Sequence, residues 1–104
     1  MSLKDVAISI LNSLGGKRIL DMKINAKDYK INLKESYISF SFTSRNAIKA
    51  NYIKIYIINS NLIKMQLWRN YGKNSNMLRE VNNILIDELA SLFQKETLLE
   101  LSNR

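Results

Sequence analysis

From Asn51 to Arg69 apolar residues fall on every second position, and no other stretch limits the possible fold so strongly. Ile53, Ile55 and Ile57 alternate with Tyr52, Lys54 and Tyr56, and Ile63, Met65 and Leu67 alternate with Lys64, Gln66 and Trp68. A period of two sends successive side chains to opposite sides of an extended strand. A tight loop at Asn59-Ser60-Asn61 makes the two runs a hairpin, pairing Ile57 with Ile63, Ile55 with Met65 and Ile53 with Leu67. A slip of one residue would set aliphatic against polar side chains along the whole ladder, so the register is specified. The opposite face then carries Tyr56 beside Lys64, Lys54 beside Gln66, and Tyr52 beside Trp68.

The same alternation recurs upstream. Leu20, Met22 and Ile24, then Tyr29, Ile31 and Leu33, then Ile38, Phe40 and Phe42 each skip one polar position, which predicts three more strands. Two-residue turns at Ala26-Lys27 and Glu35-Ser36 connect them, and the linker Thr43 to Ala50 leads into the hairpin. At either end the period lengthens. Leu3, Val6, Ala7, Ile10, Leu11 and Leu14 fit an amphipathic helix with Ser2 as its N-cap, Asp5 in its first turn and Gly15-Gly16 as its stop. Leu78, Val81, Leu85, Leu89 and Leu92, widened by Ile84 and Phe93, predict a helix from Asn76 to about Leu101, on the order of 35 Å long. The expected fold is α+β: an N-terminal helix, a five-stranded, mainly antiparallel meander sheet, and a long C-terminal helix on its aliphatic face. Residues 1–104 are expected to form one domain, with no internal repeat or low-complexity linker.

Charge follows this division. Residues 17–73 hold twelve Lys/Arg against three Asp/Glu, a local +9, whereas residues 74–104 balance at −2 within an overall +7. Lys, Asn and Ile all use AT-rich codons, so a compositional bias would raise the total charge, but it would not segregate it. The chain has no Cys and no His, which excludes disulfides, thiolate chemistry and the commonest general base and transition-metal ligand. No apolar run reaches the roughly 20 residues of a membrane span, and the start lacks a signal-peptide pattern, so a cytoplasmic location is expected.

A basic sheet face interleaved with rings suits nucleic acid. Aromatic side chains stack on unpaired bases while Lys and Arg neutralise phosphates. Tyr52, Tyr56 and Trp68 are the expected stacking residues, and Lys30, Lys54, Lys64, Arg69 and Lys73 the expected phosphate contacts, with Asn32, Ser39 and Ser41 on the neighbouring strands. The expectation is a non-enzymatic protein that binds single-stranded DNA or RNA and needs no cofactor or metal. The rival is a protein-interaction module or homodimer that uses the same face, a bare strand edge, or the Leu-rich C-terminus at Leu98, Leu99 and Leu101. Tyr and Trp also pair well across strands in sheets that bind nothing, so composition alone leaves both open.

Other motifs weigh less. Gly15-Gly16-Lys17-Arg18 lacks the spacing of a phosphate loop and follows a helix instead of a strand. Arg69-Asn70-Tyr71-Gly72-Lys73, expected to lead into the last helix, would extend the positive track. Thr43-Ser44-Arg45-Asn46 with Lys49 is a polar loop within reach of a phosphate backbone. Asp21-Met-Lys23 and Asp28-Tyr-Lys30 have the acid-x-Lys form of strand-borne metal nucleases, but in the expected register Asp21 faces Asn32 and no second carboxylate. Glu80, Asp87, Glu88, Glu96 and Glu100 would form the solvated face of the long helix.

Overall fold

A computed structural model describes residues 3–43, 45–59 and 61–99. Ser2, Ser44, Ser60, Glu100 and Leu101 lie outside the described residues. In chain order the elements are α1 (Leu3–Ser13), α2 (Gly16–Ile24), β1 (Lys27–Asn32), β2 (Tyr37–Ser41), β3 (Tyr52–Ile57), β4 (Leu62–Tyr71), β5 (Asn74–Leu85), a short 3₁₀ turn (Ile86–Glu88) and α3 (Leu89–Thr97). The five strands form one antiparallel sheet in the order β1-β2-β3-β4-β5. The α+β class and the meander are therefore as the periodicity requires, but two elements change type.

Leu20, Met22 and Ile24 belong to helix α2, not to a strand. Leu20 and Ile24 are four apart and fully buried, while Met22 is 61% exposed, so the residues satisfy a helical stripe as well as an alternation. Gly15-Gly16 ends α1, as expected, and α2 starts at once. Gly15 takes φ 106°, and a Cβ there would stand 2.8 Å from Ile19 Cγ2. Gly16 has φ 83° with nothing within 4 Å of a Cβ. Gly15→Ala should therefore cost about 1–3 kcal/mol, and Gly16→Ala less, because only the first adds a clash to the left-handed backbone. Urea midpoints of the two variants check the difference; equal losses would refute the steric account.

The second change lies at the C-terminus. Residues 74–85 form strand β5, and among the described residues the last α-helix spans Leu89–Thr97. Val81 and Ile84 are three apart, as on a helix, yet pair with Met65 and Ile63 on one face of the sheet. A register shift between these pairs adds one residue to β5, and Asn83 takes φ 57° there. A β-bulge thus turns a spacing of three into one face of a strand. A second shift, opposite Leu67 and Trp68, places Leu78 in the same way.

The hairpin of β3 and β4 has the expected register throughout, from Tyr52 opposite Trp68 to Ile57 opposite Ile63. Asn59 closes its loop by accepting the Asn61 and Leu62 N–H groups at 2.9 Å through its side chain. Between β1 and β2 the register is shifted by two from a Glu35-Ser36 turn: Asn32 pairs with Tyr37, closing a four-residue loop. An even shift preserves the faces.

The core lies between the sheet's aliphatic face and the helices. Val6, Ala7, Ile10 and Leu14, Leu20 and Ile24, and Leu89 and Phe93 pack with Ile38, Phe40, Phe42, Ile53, Ile55, Ile63, Met65, Leu67 and Ile84. Phe42 meets Phe40 at 6.4 Å and Phe93 edge-on at 5.7 Å between ring centroids, which docks α3 against β2. Among the described residues no helix is long and apolar enough to cross a membrane.

Candidate nucleic-acid interface

Because the helices all bury their apolar stripes against one face, the other face of the sheet has no covering element among the described residues. Strand register organises it into three rows. The first runs Asn32, Tyr37, Tyr56, Lys64. The second runs Lys30, Ser39, Lys54, Gln66, Glu80, and the third Lys27, Ser41, Tyr52, Trp68, Met77. Rings therefore flank a central row in which Ser39 and Gln66 are sunk to 2% and 8% exposure between longer side chains.

The cations lean on the rings. Lys54 Nζ stands 5.0 Å from the Tyr37 centroid and 5.5 Å from that of Trp68, and Lys64 Nζ stands 4.7 Å from Tyr56. Tyr37 and Tyr56 pack at 5.2 Å with planes 55° apart. Each cation–π contact at such a half-exposed site contributes about 0.5–1 kcal/mol. A polar chain fixes the indole edge: Trp68 Nε1 donates to Gln66 Oε1 at 3.1 Å, and Gln66 Nε2 donates to Glu80 Oε2 at 2.7 Å. Tyr52, Lys54, Trp68, Asn70 and Ser75 border a shallow depression of about 360 Å³ at the β3–β4–β5 end of this face.

Of the eight residues expected from the sequence, Lys30, Tyr52, Lys54, Tyr56, Lys64 and Trp68 share this face. Arg69 does not. It follows Trp68 by one residue, points to the other side, and donates through Nη1 to the Lys49 carbonyl at 3.0 Å. Lys73 sits exposed in the turn between β4 and β5, so the segment Arg69 to Lys73 ends a strand and leads into no helix. Tyr37 was missed as a ring of this face, although its alternation with Ser39 and Ser41 gives its side directly. Glu80 was assigned to the face of a helix; it lies instead at the β5 end of the central row. The row thus runs from Lys30 at one edge of the sheet to a carboxylate at the other.

The acid-x-Lys motifs do not lie on neighbouring strands. Asp21 is on helix α2 and accepts the Tyr29 hydroxyl at 2.8 Å, while Asp28 is the second residue of β1, at φ 58°. Burial first, then the hydrogen bond to Asp21 and its charge, push the Tyr29 phenol well above its usual range. No group of three or more carboxylates that could hold a metal ion occurs among the described residues. Compared with protein-family models, with curated proteins and with solved structures, the chain gives no match.

Proposed function

We propose that the open sheet face binds single-stranded nucleic acid, DNA or RNA, without catalysing a reaction. The observation that carries this reading is the sharing of one uncovered face by Tyr37, Tyr52, Tyr56 and Trp68 with Lys30, Lys54 and Lys64. Lys54 already covers parts of Tyr37 and Trp68, so a base must displace its ammonium. That exchange is favourable: losing both cation–π contacts costs about 1–2 kcal/mol, bases stacked on the two rings return about 1–3 kcal/mol each, and the released ammonium is free to meet a phosphate. Glu80 repels phosphate at the β5 end, so the strand lies toward Lys30 on β1, Lys54 on β3 and Lys64 at the start of β4.

Titrating oligothymidylate while following Trp68 emission tests the proposal. The expected result is quenching, with an affinity whose log–log salt slope is about −0.7 per phosphate contacted. An unchanged emission at low ionic strength would remove it. Homodimerisation through the same face is the second reading. It is favoured by Met77, 48% exposed at the end of the Trp68 row on the free β5 edge. Light scattering separates the two: a dimer with Trp68 shielded before any oligonucleotide is added supports the second.

A further inference from the structure

On the opposite side of the sheet from the rings, described residues between β2 and β3 border a cleft of about 590 Å³ against β4. It is lined by Phe42, Thr43, Asn46, Ala50 and Asn51 together with three cations, Arg45, Lys49 and Arg69, with no carboxylate among the described lining residues. We propose that this cleft is a second anion site, which binds a phosphate or diphosphate group independently of the sheet face.

Three observations carry the proposal. The first is charge: among the described lining residues three cations stand without a carboxylate, which gives a field that selects anions, and Arg carries a planar fork suited to phosphate oxygens. The second is preorganisation. Arg69 is held from two sides, by its Nη1 hydrogen bond to the Lys49 carbonyl at 3.0 Å and by the Tyr71 ring at 5.8 Å. Of the five N–H donors of a guanidinium, that bond uses one.

The third is a rigid rim. The Asn46 side chain donates to the Ala50 carbonyl at 2.7 Å and accepts the Ala50 N–H at 2.9 Å, closing the segment on itself. Asn51 does the same across to β4, donating to the Asn70 carbonyl and accepting its N–H, each at 2.7 Å. The Ala47 N–H donates to the Thr97 carbonyl at the end of α3 at 2.9 Å. Phe42 and Ala50, both buried, provide an apolar floor. The volume falls within the range of small-ligand clefts, with room beyond the phosphate for the group that bears it.

The test is a ¹H–¹⁵N NMR titration of the full chain with sodium pyrophosphate, against sodium chloride at matched ionic strength. Saturable shifts of the Asn46, Lys49 and Ala50 amides are expected. Arg69→Gln and Lys49→Gln should each weaken them about tenfold, and Trp68→Ala should leave them unchanged. The undisturbed remainder of the spectrum shows that each variant is folded. Equal shifts with chloride, no saturation, or wild-type affinity in Arg69→Gln would overturn the proposal. Two further arms identify the source of the phosphate: adenosine monophosphate acting at the same amides points to a small phosphorylated molecule, and a 5′-hydroxyl oligonucleotide acting there points to a nucleic-acid backbone. Because Trp68 reports the sheet face and these amides report the cleft, failure of one site leaves the other measurable.

Discussion

Phe93→Ala should lose about 3–5 kcal/mol of folding stability, a large share of the roughly 5–15 kcal/mol typical of a domain. Phe93 is fully buried on α3, with Leu89 and Thr97 one turn away on either side, and its ring meets Phe42 at 5.7 Å. Truncation removes an aromatic pair and leaves a cavity where the helix joins the sheet. α3 is short and owes its position to this packing more than to helix propensity. At about 4–8 °C per kcal/mol for a domain of this size, the melting temperature should fall by roughly 12–40 °C. Met22→Ala is the control. That side chain is 61% exposed on α2, and its loss should stay within about 0.5 kcal/mol. Calorimetry on both variants checks the pair, and a Phe93→Ala protein as stable as Met22→Ala would mean that α3 is not docked as described.

Trp68→Ala should weaken oligonucleotide binding about tenfold to a hundredfold, the loss expected from about 1–3 kcal/mol of stacking on one base. Anisotropy of a fluorescein-labelled oligonucleotide measures this without the indole as reporter. The Trp68 ring is held in place on the face by its N–H, which donates to Gln66 Oε1. Glu80→Gln should act in the opposite direction, since it removes the carboxylate from the end of the central row while an amide can still meet Gln66 Nε2. Arg69→Gln, on the far side of the sheet, should change binding little beyond the general effect of one charge. If Arg69→Gln is the more damaging variant, the rings are not the binding surface.

Much of this surface is legible from residue order. In the β3–β4 hairpin both faces are specified independently, since a slip would bury Lys54 and Lys64 and expose Ile53, Ile55 and Met65. That redundancy fixes Tyr52, Lys54, Tyr56, Lys64 and Trp68 on one side before any tertiary contact is known. Lys30 keeps its side for a related reason: the β1–β2 register differs from the simplest turn by two residues, and an even shift changes no face. Tyr37 is equally legible, since it alternates with Ser39 and Ser41.

Elsewhere local pattern is ambiguous. Leu20 and Ile24 satisfy both a strand and a helix, and residues 78, 81 and 84 step by three on a strand because bulges insert extra residues. Asn74, Ser75, Asn76, Asn82 and Asn83 did carry a warning, since these residue types compete with the helical backbone for hydrogen bonds. The sequence by itself determined the antiparallel hairpin, the strands at Tyr29 and Phe40 and the sidedness of the rings and lysines, because period-two patterning acts over a few neighbouring residues. Tertiary structure alone decided that β5 exists, that Glu80 joins the lysine row, and that Arg69 meets Lys49 across a cleft. Each depends on pairing or packing between segments whose chemistry is compatible with more than one local conformation.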